Sequence, residues 1–585
     1  DGLADAVIEA AEELPHHPGP LEDAISHARI LIGSAVEAVE GYSTDKRKAA
    51  LVDYTDMVAA AQMILASEAG ALKALAERID CLVIDEFQDT NPLQFSLLWL
   101  LQKAGIPTLI VGDLKQAIMG FQGADPRLME RLLDHDKANT DTLDKNWRTQ
   151  PPLMPFINAM GGALFGDSYT ELAAQSEDGF QAPLEVLEHP KPPRGGSKKP
   201  TRTLRVAERI KSLLVDPDQM VRDRNTQRQR RLVAGDIAIL CPTNGHLQDY
   251  ADSLRAFGVK AKVSEEGWLS SRIVQLAWYA LEFAENPNDR HAALYLASTE
   301  LGQHGLQSAI SELVNADQVN DPVLENLCVI HDGDQHATVD VVLSNVIRAL
   351  DLYGRVTCWP EPHKHRADLL RLEAEARAFI DAKPETLASG GFFGSGVKTF
   401  LAWLTDKVEQ DKEGNQRPDP DASDTGSVEM VTWHRSKGRE WPVVFVCGWD
   451  SDVEPRLPNV SVEYEKFDDL DGILEDARIS FIPEFAAKEA NDRFLNPMLE
   501  GTVLSAKRLI YVALTRARER LVLEWHSHLA GSKRTTFHSI LADEIGISVG
   551  ETGIDVGGDE HPCLVSGNDG TPPEIPETIL SAESL

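Results

Sequence analysis

Apolar positions at helical spacing from Asp53 to Ala76 lead into a short apolar run, Cys81 to Asp85, that ends in acids. A run of that kind predicts a buried strand whose carboxyl end carries chemistry, as parallel α/β sheets do. A helix over Leu93–Lys103 and a second strand over Pro107–Asp113 repeat the pattern, and helix alternating with apolar strand is the doubly wound signature. A second α/β block opens with a strand over Asp236–Cys241 and a helix over His246–Phe257. It resumes with strands over Val428–Thr432, Val443–Gly448 and Leu521–Trp525. Between them, residues 270 to 410 read as helical, with no strong strand. The runs KPPRGGSKKPTR (191–202) and RDRNTQRQRR (222–231) predict a flexible basic loop, a helix and a second basic loop, and the acidic stretch 410–426 predicts a linker or exposed loop. No internal repeat is present.

Length makes several domains necessary, since 585 residues exceed what one hydrophobic core organises. The 42% hydrophobic and 26% charged fractions are those of a globular chain, and no apolar run is long enough to span a bilayer. The acidic start DGLADAVIEAAEEL is unlike a signal peptide, and six scattered cysteines without a CxxC pair predict reduced thiols in a cytoplasmic protein. Cys358, His363 and His365 are the one grouping that resembles metal ligands; with no fourth ligand nearby they read as a polar loop. A net charge of −36 argues against wrapping nucleic acid with the whole surface, and leaves room only for a local basic groove.

Asp85-Glu86-Phe87-Gln88-Asp89 follows the first predicted strand. Nucleotide hydrolysis needs one carboxylate to hold magnesium and another to polarise water, and adjacent acids at a strand end supply both. Alone, such a pair is equally a solvated turn. Its company changes the reading: GDLKQAIMGFQGAD (112–125), LDKNWRT (143–149), TWHRSKGREWPVV (432–444) and RLIYVALTRARE (508–519) follow in order. Together these segments, with Asp53-Tyr-Thr-Asp56-Met ahead of them, resemble the later motifs of the UvrD/Rep group of superfamily 1 DNA helicases over most of residues 50 to 530. The wording of 433–437 and the long helical block are similar to the AddA/RecB branch.

The resemblance implies two RecA-like P-loop NTPase-type α/β domains with parallel sheets, the second interrupted by a helical insertion. Residues 1–50 would be the tail of a helical insertion of the first domain, and 51–160 its remainder. Residues 161–285 and 426–545 would form the second domain, 286–425 its insertion, and 546–585 an acidic, flexible tail. ATP and Mg2+ are the implied cofactors. Asp85 would ligate the metal, Glu86 would act as catalytic base, Gln116 would sense the γ-phosphate, and Arg148 and Arg516 would stabilise charge on the transferring phosphoryl group. Glu440 would meet the ribose, with Lys437 and Gly438 beside it at the nucleotide. Phe121, Trp147, His434 and Thr432 would face single-stranded DNA, at duplex ends or gaps, with stepping from 3′ to 5′. A helicase or nuclease subunit is the implied partner, in DNA repair or recombination. Phe121 has a second reading as a core residue, and the Lys507/Arg508 and Arg516/Arg518 cluster a second reading as a solvated helix face.

Four departures stand out. Met119 occupies the tyrosine place and Gln122 the arginine place of the family's GDPxQSIYxFRGA loop, and Arg439 replaces a usual leucine. More important, no Gly-Lys dipeptide occurs in the chain, so the family's phosphate-cradling GxxxxGK[ST] loop is not written in it. The glycine-rich segment Gly391–Thr399 has Val397 where the second glycine belongs and no strand before it, so it predicts a turn in the helical block. The expectation is a chain that begins partway through a longer helicase; the alternative is an ATP-independent DNA- or partner-binding module that keeps the fold. No strand-borne acid and lysine set of a nuclease is visible.

Overall fold

The computed structural model describes residues 18–48, 51–135, 139–176, 183–189, 201–224, 226–263, 267–333, 336–360, 362–410, 416–418, 426–455, 460–464, 467, 469–475, 477–481, 488–526, 529 and 534–567. The chain divides into two compact units, Asp1–Leu254 with Val431–Pro573, and Arg255–Met430 with Glu574–Leu585. No single described helix is long and apolar enough to cross a membrane, and no cysteine is in a disulfide.

The first unit opens with helices Pro18–Lys48, Tyr54–Ser67 and Ala69–Ala76. Asp53 caps the second of these, its side chain accepting from the Asp56 N–H while Asp56 returns the bond, and Lys46 pairs with both acids at 2.8 and 2.6 Å. Strand β1 (Leu82–Ile84) pairs in parallel with β2 (Thr108–Ile110) across helix Pro92–Lys103, which Asn91 and Gln94 cap reciprocally. Thus both predicted strands and the helix between them are present. The pair carries an apolar face left open, with Val83 63% and Leu109 56% exposed, although parallel strands ordinarily bury both faces. Short β3 (Lys145–Asn146) and β4 (Ala173–Ala174) follow, either side of helix Met154–Phe165.

Next come β5 (Leu184–Glu188), helix Thr201–Val215, the hairpin β6 (Met220–Arg222) and β7 (Gln229–Arg231), β8 (Ile237–Cys241) and helix Asn244–Ala256. The basic run 222–231 is therefore a β-hairpin and not simply a loop. Its turn is organised by Asp223, whose Oδ1 accepts from the Thr226 N–H at 2.9 Å, and Val221 anchors it in the core. The other predicted basic loop, before Thr201, lies largely outside the described residues.

Strands β9 (Ala261–Lys262), β10 (Val428–Thr432), β11 (Trp441–Val446) and β14 (Ala517–Trp525) complete most of a seven-stranded sheet of order β18-β5-β14-β11-β8-β10-β9, with β12 (Val460–Glu463) and β13 (Arg478–Phe481) forming a separate antiparallel hairpin. The pairings β11 with β8, β11 with β14 and β14 with β5 are parallel, with Val443 to Val446 in register with Ile237 to Leu240. Strands β8 and β11 are wholly apolar and buried, as two-sided cover requires. Helix Lys488–Leu514 precedes β14.

Residues 546–567 correct the expected flexible tail. Strands β15 (Ser548–Val549), β16 (Gly553–Val556) and β17 (Asp559–Pro562) form a small antiparallel sheet, and β18 (Leu564–Ser566) pairs in parallel with β5. Buried Ile547, Ile554 and Val556 join the main core and Val549, Cys563 and Val565 pack against it, so a few apolar side chains dock a segment whose overall composition is polar. Residues 568–585 lie outside the described residues.

The second unit, described by itself, packs helices Arg272–Glu285, Arg290–Ala297, Pro322–Gly333, Val339–Ala349, Pro362–Asp381 and Val397–Gln410 around one apolar core that includes Trp268, Leu281, Phe379 and Phe400. Gly391–Gly396 is a turn between helices Pro384–Ser389 and Val397–Gln410, with no strand before it, as expected. His365 packs edge-on against Trp359 at 5.1 Å, and no metal-binding group of acids, histidines or cysteines occurs among the described residues.

A buried polar nest closes the carboxyl ends of β5, β11 and β14. Tyr250 donates its hydroxyl to Glu524 Oε1 at 2.5 Å, the Gly448 N–H donates to Oε2 at 2.8 Å, and the His526 and His189 rings lie 3.4 and 3.6 Å away. Burial pushes His189 down to about 4, against the pull of Glu524. In the unfolded chain this histidine takes a proton near its ordinary 6.5, so folding stability is lost as pH falls through the window from 6.5 to about 4. The loss is at most about 3 kcal/mol. Thermal midpoints taken from pH 7.5 to 4.5 should therefore fall more steeply for the wild-type chain than for His189→Asn; equal slopes would refute the assignment.

Candidate active site

The acidic loop after β1 is built around one strained residue and one buried amide. Glu86 sits at φ +52°, the left-handed region that a non-glycine residue seldom occupies, and its N–H donates to Asp85 Oδ1 at 2.9 Å. Gln88, buried, donates to Glu86 Oε2 at 2.5 Å and accepts the Asp113 N–H at 2.8 Å. It thereby ties the first acidic loop to the loop after β2. Gly112 is required there, because a Cβ would stand 2.7 Å from Gln88 Oε1. Gln116 in turn donates to Asp113 Oδ2 at 2.9 Å.

From the far end of the sequence, Arg516 at the start of β14 reaches the same place. It is 1% exposed and its Nη2 donates to Gln116 Oε1 at 3.3 Å. Its other partners are neutral oxygens: Val512 O at 2.8 Å, Thr515 Oγ1 at 2.8 Å and Arg439 O at 3.4 Å. Burial first, then the Arg148 charge, push its pKa down to about 9, while Glu86 and Glu440 act in the other sense. A guanidinium desolvated beside another guanidinium is a site that an anion relieves. Arg508 is also buried, and burial lowers its pKa too, so the Arg508/Arg516 cluster is not a solvated helix face.

Arg148, beside β3, donates through Nε to Glu440 Oε2 at 2.6 Å and through Nη1 to Thr515 O at 3.5 Å. The phosphate-facing arginine and the ribose-facing acid of the resemblance are thus paired with one another. Lys437 bonds Asp89 and the Gln116 carbonyl (2.8 Å), with Glu86 Oε2 3.5 Å away, so it braces the acidic loop. Burial pushes Asp89 up, against the Lys437 hydrogen bond. Gly438, at φ +76°, turns the chain between Lys437 and Glu440.

Of the strand-facing candidates, Phe121 is 69% exposed and meets His434 edge-on at 5.7 Å, so it is not a core residue. Burial lowers the His434 pKa, which leaves the ring neutral near pH 7. Trp147 is 73% exposed, and Thr432 Oγ1 accepts the Arg435 N–H at 3.3 Å inside the loop. Met119 packs against the main core, which accounts for an apolar residue there. The hydroxyl of Tyr511, buried against Phe165 and Tyr169, is pushed well up by burial.

Two stretches of the chain match known helicase domains. Residues 4–137 match the UvrD/REP helicase N-terminal domain, and residues 410–528 match the UvrD-like helicase C-terminal domain. The chain carries UvrD/Rep-type helicase domains. An α/β RecA-like fold follows from that family. Among curated relatives, an ATP-dependent helicase/nuclease subunit of Carboxydothermus hydrogenoformans is 24% identical over 532 residues, 82% of this chain and 43% of that protein. The proteins of the same name from Lactobacillus johnsonii and Bacillus pumilus are 25% and 24% identical, over 85% and 84% of this chain and 44% of each relative. The chain therefore spans less than half the length of these relatives.

Asp85 and Glu86 are both exposed at the strand end and offer hard oxygen donors, which suits Mg2+. Asp85 alone would supply a protein ligand, the rest coming from water and phosphate oxygens, the usual way this ion is held in phosphoryl-transfer sites. Gln88 and Arg224 (the latter on the β6–β7 turn, 3.3 Å from Glu440) are the members of this site that sequence reasoning left without a role. Gln88 could have been noticed as the amide between two acids; nothing local marks Arg224. Gly112→Ala should displace the Gln88 amide and break both of its hydrogen bonds, lowering stability by roughly 1–3 kcal/mol. An unchanged urea midpoint for that variant would show that the amide has room to move.

Proposed function

We propose that this chain is the motor portion of an ATP-dependent DNA helicase or translocase, acting with 3′-to-5′ polarity on single strands and duplex ends in repair or recombination. The observation that carries the reading is the hydrogen-bonded path Arg516–Gln116–Asp113–Gln88–Glu86, which joins the end of the chain to the acidic loop. In this reading residues 51–160 and the pair 161–285 with 426–545 are two RecA-like domains, the helical block 286–425 interrupts the second, and 1–50 belongs to an insertion of the first.

Bound Mg2+ supplies Lewis-acid stabilisation of the phosphate charge and is held through Asp85. Glu86 takes the proton from the attacking water; its left-handed backbone and the Gln88 amide fix the direction of its carboxylate. Gln116 and Arg516 move as a pair, so a shift at the phosphate is felt on both loops. Arg148 leaves Glu440 for the phosphoryl group, which frees the acid for the ribose, and arginines in that role contribute about three to five powers of ten in rate. Phe121 with His434, and Trp147, offer exposed rings on which bases stack without sequence preference. The open apolar face of β1 and β2 supports docking of a strand, phosphate loop and helix there, since the chain contains no Gly-Lys dipeptide. The relatives are each named as one subunit of a helicase/nuclease, which supports a partner protein for this chain. A second reading, an ATP-independent DNA- or partner-binding module, is favoured by the same missing dipeptide.

DNA-stimulated ATP hydrolysis separates the two readings. The chain as it stands, the chain with a family-type amino-terminal phosphate-loop segment added, and that form carrying Glu86→Gln should be compared. Hydrolysis only in the extended form, reduced at least about a hundredfold by Glu86→Gln, is expected of a general base. No hydrolysis in any folded form would leave the binding module.

A further inference from the structure

Glu440 is surrounded by guanidinium groups from three separate parts of the chain. Arg148 holds Oε2 at 2.6 Å; Arg224 stands 3.3 Å and Arg518 4.0 Å from Oε1. Arg516 lies close enough for Arg148 and Glu440 both to act on its charge. Three guanidinium groups thus meet one carboxylate, with Arg516 held behind them by neutral oxygens. The other acids near them include Glu519, 3.8 Å from Arg518 and taken up by the Arg222 N–H at 3.0 Å, and Glu86, which is bonded by the Gln88 amide. In a chain of net charge −36, this concentration of positive charge has no counterpart in the composition.

Arg224 is delivered there by rigid means. The β6–β7 hairpin is fixed to the start of β14 twice: Arg518 Nη2 donates to Arg222 O at 3.2 Å, and Glu519 accepts the Arg222 N–H. Arg222 Nη1 donates across the turn to Gln227 O at 3.1 Å, and Gln227 at φ +58° tightens the turn that carries Arg224. The Arg224 side chain is 72% exposed, so nothing in the core requires an arginine at that position.

We infer that Arg224, with Arg518, extends the phosphate-facing pair Arg148 and Arg516 into a basin for the polyphosphate tail of a nucleoside triphosphate, in which Glu440 is the resident counter-ion and Arg224 the added selectivity residue. The inference rests on the nucleotide reading of this site. Glu440 holds the cations together before the anion arrives, as their mutual repulsion otherwise drives them apart. When the polyphosphate enters, Arg148 and Arg224 exchange the carboxylate for phosphate oxygens, and their planar forks suit that geometry. The basin requires no phosphate loop, so the chain as it stands should have measurable affinity for inorganic tripolyphosphate.

Calorimetric titration with inorganic tripolyphosphate at low salt tests this, using wild type, Arg224→Ala, Arg224→Lys, Glu440→Gln and Arg516→Ala, with near-ultraviolet circular dichroism as a check on folding. Binding should weaken roughly ten- to a hundredfold in Arg224→Ala and recover in part in Arg224→Lys. It should tighten in Glu440→Gln, which removes the competing charge and keeps the shape. No binding by the wild type, or affinity unmoved by Arg224→Ala, overturns the basin. If Arg516→Ala abolishes binding while Arg224→Ala does not, the inference about the hairpin fails and the nucleotide reading survives. If an oligothymidylate binds with the same dependence on Arg224 and tripolyphosphate does not, the cations face a DNA backbone and the inference is wrong.

Discussion

A guanidinium buried to 1% exposure without a direct carboxylate partner is a costly object, and Arg516 is one. Its charge is met only by neutral dipoles, and the choice of those dipoles organises the site. Val512 O belongs to the last turn of helix Lys488–Leu514, where unpaired carbonyls and the helix dipole favour a cation. Arg439 O belongs to the loop between β10 and β11, and Gln116 Oε1 to the loop after β2. A displacement of any one of these elements changes the solvation of the same charge. Replacing such a group by an apolar side chain of similar size often costs a fold nothing, so its presence is better understood as serving the site than as serving stability.

The acidic loop is constrained from its other side as well. Phe87, between Glu86 and Gln88, packs edge-on against Phe95 at 6.1 Å, in a small core completed by Leu128, Leu132 and, from the segment between β12 and β13, Phe467, Leu470 and Ile473. That segment is fastened to helix Pro92–Lys103 by Asp471, which accepts from Trp99 Nε1 at 2.7 Å and pairs with Lys103 at 2.8 Å, and Arg127 lies over the Phe467 ring at 4.0 Å. Among the described residues, Arg148, Arg224 and Arg518 face Glu440, Arg518 also faces Glu519, and Lys437 faces Asp89 and Glu86. A strongly negative sum of charges thus says little about a groove a few residues wide.

How much of this was legible in the sequence depended on how locally each element is determined. The strands β1, β8, β10 and β11 are short apolar runs with polar borders, and their places followed from pattern alone. Strand β14 begins earlier than its apolar stretch, because Ala517 to Arg520 are strand residues whose charged side chains find partners in distant segments. The β6–β7 hairpin was hidden by its arginines, and β16 and β18 by the glycine and acid around two or three apolar residues. In the site, Asp85 and Glu86 announce themselves by position at a strand end. The roles suggested for Gln116, Arg148, Glu440 and Arg516 came from resemblance, and no property of the sequence says that residues 148, 224, 440 and 518 meet. That meeting is a product of the parallel sheet order, which brings the starts of β11 and β14 side by side.

The loop from Trp433 to Glu440 has a property that no single residue in it has. Trp433 is buried against Trp449 and Phe537, at 5.0 and 4.7 Å, so the loop's root does not move independently of the core. From that root His434 meets Phe121, Lys437 braces Asp89 and the Gln116 carbonyl, Arg439 O receives Arg516, and Glu440 holds Arg148. The span from ring contact to ion pair is seven residues, turned once at Gly438, where a positive φ strains any other residue. His434 and Glu440 are thus held on one short, anchored stretch of backbone, and what separates them is the backbone geometry of 433–440, not the identity of any one exposed side chain.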